Sequence, residues 1–237
     1  MAFKTFVLHE DLQVTIYKRK GATSLRLSVT STGTIRVTIP TWTPYAAGLK
    51  FAKSRQGWIT AQKKPATVMQ NGQAIGKAHH LELLPSPIAK KVSSRVIPGK
   101  VVVRYPSYIA PDSPAVQKVI TSASIRALRS QAEKLLPQRI DALAKKYGFA
   151  YLDVSIKQLK SRWGSCDQKK HIVLNLYLMQ LPWELIDYVL LHELTHTQHL
   201  NHGPDFWETM KRIVPGLPAR RKAMRSYQPM LHSSRVS

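Results

Sequence analysis

The sequence predicts an α+β protein, and three features carry that prediction. Between residues 12 and 39, apolar and polar side chains alternate, the period of strands with one buried face. From residue 114 to 147, apolar residues recur at a helical period. PWELIDYVLLHELTHTQH, residues 182–199, reads as a helix that is apolar nearly all round between Leu185 and Leu194, so it belongs in a core. A strand-rich region over 1–113 and a helix-led region over 114–237 follow from that order.

LQVTIYKRK, from Leu12, reads as a strand, and SLRLSVTSTGTIRVTIP as two strands around a turn at Ser31 to Gly33. Leu25, Leu27 and Val29 share one face, as do Ile35, Val37 and Ile39, which a half-buried hairpin requires. TPYAAGLKFAKSRQGWITAQKK predicts a helix with Thr43 as its cap and Pro44 at its first position; Gly48 and Gly57 count against it. HLELL at 80–84 is a short strand, and RVIPGKVVVRY a hairpin around Pro98 and Gly99. Val116, Ile120, Ile125, Leu128, Leu135, Ile140 and Leu143 mark a long helix, with a kink or break expected at Pro137 and a stop at Gly148. LDVSIK and KHIVLNLYLM follow as a strand and a second apolar run, with SRWGSC between them as a turn. No internal repeat stands out.

Composition narrows the function classes. The single cysteine, Cys166, excludes an intramolecular disulfide framework and fits a reducing compartment. The first residues lack the apolar run of a signal peptide, and no apolar stretch reaches bilayer-spanning length. A cytoplasmic location without membrane attachment is therefore expected. The formal charge of +23 is spread over both halves: 17 basic and 4 acidic residues in 1–113, 19 and 9 in 114–237. Such a field attracts polyanions, so weak nucleic-acid binding without sequence preference is expected, although no base-reading motif accompanies it.

HELTHTQHLNHG, residues 192–203, carries the chemistry. His192 and His196 are four apart on one helical face, a spacing at which two imidazoles share a zinc ion at about 2.0–2.1 Å each. Glu193, beside them, can hold a metal-bound water and take its proton as general base. The third ligand has three sources. His199 would lie about 10 Å along the axis from His192 in a straight helix, too far to converge. His202 reaches the site if the helix ends and the chain turns back near His199 to Asn201, and it is preferred. Asp205 and Glu208 are nearby carboxylates, better read as favourable charges in the first turns of the next helix. His199 is then expected to line the rim or to bond a neighbouring group. Three ligands leave zinc a position for water, hence hydrolysis. In SRWGSC, Arg162 is the candidate to bind a substrate carboxylate or phosphate or to stabilise an oxyanion. Cys166 and Trp163 are read as packing residues.

LKSRWGSC, LNLYLMQLP, YVLLHELTH and NHGPDFW, in that order, resemble the YgjP-like metal-dependent hydrolase family, related to the SprT-like zinc metallopeptidases. The resemblance implies a zincin-like domain with the HExxH helix packed against a small sheet. It implies metal ligands at His192, His196 and His202 and a catalytic Glu193. The leading expectation is a zinc-dependent metallopeptidase acting on a peptide or protein. Metal-dependent hydrolysis of a nucleotide pyrophosphate is one alternative; a nucleic-acid-binding protein with a structural zinc is another.

Overall fold

The computed structural model describes residues 2–9, 12–29, 35–62 and 68–231. The architecture is mixed α+β, and the chain divides into two compact units, 1–67 and 68–237.

The first unit is a four-stranded sheet with helices. Strands β1 (Phe3–His9), β2 (Leu12–Arg19), β3 (Arg26–Val29) and β4 (Ile35–Pro40) stand in the order β1-β2-β4-β3. Two antiparallel pairs flank a parallel central pair, β2 with β4. The alternation buries Val14, Ile16, Ile35, Val37 and Ile39 together with Ala52 and Ile59 from α1 (Tyr45–Ser54) and α2 (Gln56–Gln62). Gly48, which counted against a helix, explains how α1 lies so close. A Cβ there would stand 3.0–3.2 Å from methyl carbons of Ile16 and Ile39. The helix starts one residue later than expected, so Pro44, and not Thr43, takes the cap position, with no side-chain cap bond. The expected turn at Ser31 to Gly33 lies outside the described residues.

The second unit opens with the same strand pattern. Strands β5 (Ala74–Ile75), β6 (His79–Ser86), β7 (Ser93–Ile97) and β8 (Lys100–Pro106) are ordered β5-β6-β8-β7, again with a parallel central pair. The repetition is one of topology, and the amino-acid sequence does not display it. Gly99, at φ 77°, makes the β7–β8 turn as expected. Helix α3 (Pro114–Tyr147) follows, capped by the Ser113 hydroxyl and closed by Gly148 in the left-handed conformation. It runs unbroken through Pro137. The lost N–H costs one bond, while fully buried Leu136 and Ile140 hold both sides of the proline in the core. Gln131, buried on α3, accepts from the amides of Lys77 and Ala78 at 2.6 and 3.2 Å and donates to the Ile75 carbonyl at 2.9 Å. That side chain ties the β5–β6 turn to the helix.

The remaining elements build the site. Strands β9 (Asp153–Lys157), β10 (Gly164–Cys166) and β11 (His171–Asn175) form a sheet in the order β10-β11-β9. A 3-10 turn, Leu176–Gln180, leads to α4 (Trp183–His196), then α5 (Pro204–Ile213) and α6 (Leu217–Met224). Helix α4 packs on α3, α5, α6 and β10, and a bidentate Arg139–Asp187 pair at 2.7 and 2.6 Å joins it to α3. Among the described residues no helix is long and apolar enough to cross a membrane.

Candidate metal centre

Helix α4 presents its imidazoles from an apolar base. Leu185, Ile186, Val189, Leu190, Leu191 and Leu194 are buried along it, and so is Glu193. The helix ends at His196, with Thr197 as its C-cap, earlier than the sequence suggested. The chain then turns through 197–203 and enters α5 at Pro204. This reversal returns His202 to the exit of α4. One nitrogen from each of His192, His196 and His202 lies within 4.8 Å of the others. The His192 and His202 Nε2 atoms are 3.1 Å apart. Two ligands of a tetrahedral zinc at about 2.0–2.1 Å would stand about 3.3 Å apart, so the pair is already close to the spacing a metal needs.

The surroundings favour the neutral form of His192 and His196 and orient the rings. Burial, with His196, His202 and Arg221 adding to it, pushes His192 down to about 3. Burial also lowers His196, although its bond to the His199 carbonyl opposes the shift. In that bond, at 3.0 Å, the His196 Nδ1–H donates, which leaves Nε2 as the lone-pair donor for a cation. The Nδ1 of His192 is buried without a hydrogen-bond partner among the described residues, so packing holds that ring. Phe206, fully buried at the start of α5, lies 5.0, 4.7 and 4.7 Å from the rings of His192, His196 and His202. Trp207 stacks on His202 at 5.8 Å, and the Arg221 guanidinium sits 4.0 Å over Trp207.

The other sequence candidates fall as follows. His199 is outside the cluster; its carbonyl orients His196, and its ring faces the Thr209 hydroxyl at 3.4 Å. Asp205 sits in the first turn of α5, as expected of a helix-start charge. Glu193 is 5% exposed, and burial pushes its carboxyl up to about 8 against the pull of the Arg162 cation. Arg162 is itself exposed, and its carbonyl accepts from the Asn175 amide at 2.8 Å. Trp163 packs on the main core, in keeping with its expected role.

Strand β10, the close approach of Gly164 and the role of Asn175 are among the features that escaped the sequence reading. SRWGSC is not merely a turn: its last three residues form β10, at the edge of the sheet. Gly164, Ser165 and Cys166 line a cleft of about 290 Å³ with His192, Glu193, His196, Leu200 and His202. Gly164 is there because nothing larger fits: a Cβ would stand 2.7 Å from the Glu193 Oε1. Cys166 borders the cleft without joining the histidines; its thiol donates to the Asp167 carbonyl at 3.5 Å. Burial, then Glu193 and Asp167, raise that thiol to about 11. Asn175 is fully buried; it donates to the carbonyls of Leu159 and Arg162 and accepts from the Tyr177 amide. A lone amide inside the apolar run HIVLNLYLM was the signal for it.

Two solved structures are similar over part of the chain. The metallopeptidase zymogen abylysin of Pyrococcus abyssi is 22% identical, the match covering 45% of this chain and 99% of that one, with a TM-score of 0.34. The metallopeptidase zymogen jannalysin of Methanocaldococcus jannaschii is 20% identical over 43% of this chain and 92% of that one, with a TM-score of 0.32. No curated protein matches the chain. The family model for the YgjP-like metallopeptidase domain matches residues 23–227, most of the chain, with the histidine cluster and β10 inside the match. The protein belongs to the YgjP-like metallopeptidase domain family.

Proposed function

We propose that the protein is a zinc-dependent peptidase with a zincin-like catalytic domain, in which His192, His196 and His202 hold the metal. The convergence of three imidazole nitrogens beside the buried carboxyl of Glu193 is the observation that carries this reading. Three converging nitrogen donors suit zinc, which when bound would activate a water for attack on a carbonyl. Glu193 is the general base: it takes the proton of the attacking water and returns it to the leaving amine. Burial makes that carboxylate a willing proton acceptor, and Arg162 offsets the cost of its charge. Arg162, whose cation acts on Glu193 and whose backbone Asn175 holds, would bind a substrate carboxylate or the developing oxyanion.

Strand β10 supports a peptide substrate. It is an edge strand beside Glu193, so its outer backbone groups can pair with an extended chain laid across the cleft. The test is cleavage of a quenched-fluorescence peptide library by zinc-loaded protein, compared with Glu193→Gln. Turnover that vanishes in the variant while the metal is retained is the expected result. Equal turnover by the variant removes Glu193 from the mechanism, and a wild-type protein that binds no metal removes the whole reading.

A further inference from the structure

We propose that the outer face of the β1–β4 sheet is a platform for single-stranded nucleic acid. Helix α1 packs on the face that carries Val14, Ile16 and Val37. The strand registers define what stands on the other face. One row crosses all four strands through Phe3, Tyr17, Thr38 and Arg26, and the next through Thr5, Thr15, Arg36 and Ser28. This face is open: Phe3 is 59% exposed and Val7 61%. Exposed large apolar side chains on a sheet face call for a partner.

The chemistry of the face selects that partner. The Phe3 and Tyr17 rings lie 5.5 Å apart, and the Arg36 guanidinium rests 4.5 Å over Tyr17. Two neighbouring rings and a planar cation offer flat surfaces to nucleobases, while Arg26 and Arg36 offer charge to phosphates. None of the four strands contains an acidic residue, and residues 1–67 carry eleven Lys and Arg against Glu10 and Asp11. An acidic protein would meet the charge but leave the rings unused; a duplex hides its base faces from them. Four strands at ~4.8 Å span about 14 Å. Sheet platforms of this kind stack about two or three bases.

The test uses the full-length protein and labelled oligonucleotides of about twelve nucleotides, a length within the range of single-strand sites. Fluorescence anisotropy is read with oligo-dT, oligo-rU and a duplex, at low and near-physiological salt. Single strands should bind at least about tenfold more tightly than the duplex, with affinity falling as salt rises. The stronger of the two single strands names the natural class. Tyr17→Leu combined with Arg36→Gln should lose at least about tenfold, whereas Lys118→Gln, an exposed position on α3, should change little. Chelation should leave binding unchanged, so failure of the metal reading and failure of this one are separable. If the double variant does not fold, Phe3→Ser carries the same comparison. Equal affinity for duplex and single strand, wild-type affinity in the folded variant, or no binding at low salt overturns the proposal.

Discussion

Replacing Gly164 with alanine probes the catalytic geometry with a single methyl group. The added carbon would stand 2.7 Å from Oε1 of Glu193 and 2.8 Å from both its Cδ and Cγ, where ordinary contact begins at 3.4 Å. About 0.6–0.7 Å must therefore be relieved, and moving the carboxylate tip alone does not suffice, because Cγ is also too close. Glu193 is buried on α4, so either its whole side chain leaves its rotamer or β10 backs away. Overpacking of this kind costs about 1–3 kcal/mol. At about 2–4 °C per kcal/mol for a unit of this size, Tm should fall by about 2–12 °C. The catalytic loss should be larger, because misplacing a reacting group by about 1 Å can cost about a hundredfold. Gly164→Ala should keep its metal, keep KM within a few-fold and lose about tenfold to a hundredfold in kcat on a cleaved peptide. A variant with wild-type kcat and wild-type Tm would refute the close approach of β10 to Glu193.

Other perturbations separate the roles of the neighbouring residues. Asn175→Ala should lower stability by about 2–4 kcal/mol, since three buried hydrogen bonds lose their partner; denaturant unfolding measures this, and a change under 1 kcal/mol would contradict the pinning of the Arg162 segment. Chelating the metal should lower Tm by about 5–11 °C at a starting metal concentration near a hundred times Kd, as native-state binding requires. Calorimetric scans with and without chelator check it, and coincident scans would mean that the site contributes nothing to the fold. His202→Ala should lose the metal, and His199→Ala should keep at least part of it, because only the His199 carbonyl serves a ligand. Metal analysis of the two purified variants decides, and the reverse pattern would exchange their roles.

The features legible in the sequence are local ones. Two histidines four apart on an apolar helix fix their shared face by helical geometry alone, and the distance argument against His199 needs only the rise per residue. The return of His202 could be anticipated because a reversal near His199 to Asn201 would bring it back, although the helix ends at His196, sooner than its apolar pattern suggested. What stayed hidden is non-local. Three residues of β10 are too few to show a period, and only pairing with β11 makes them a strand. Trp207 reaches His202 from α5 and Arg221 covers Trp207 from α6, which no local pattern announces. Strand content grouped residues 1–113 together, but Leu81, Val101 and Val103 share a core with Val116 and Ile120 of α3, and the compact units divide at 67/68. Pro137 signalled a break that burial of its flanking residues overrode.

X-ray absorption at the zinc edge of the metal-loaded, full-length protein tests the proposed centre most directly. Three imidazole nitrogens and one light oxygen at about 2.0–2.1 Å are predicted, with the spectrum unchanged in Cys166→Ser, because that thiol borders the cleft outside the group of converging histidine nitrogens. A sulfur scatterer at about 2.3 Å that disappears in Cys166→Ser would contradict the three-histidine centre with its open position for water.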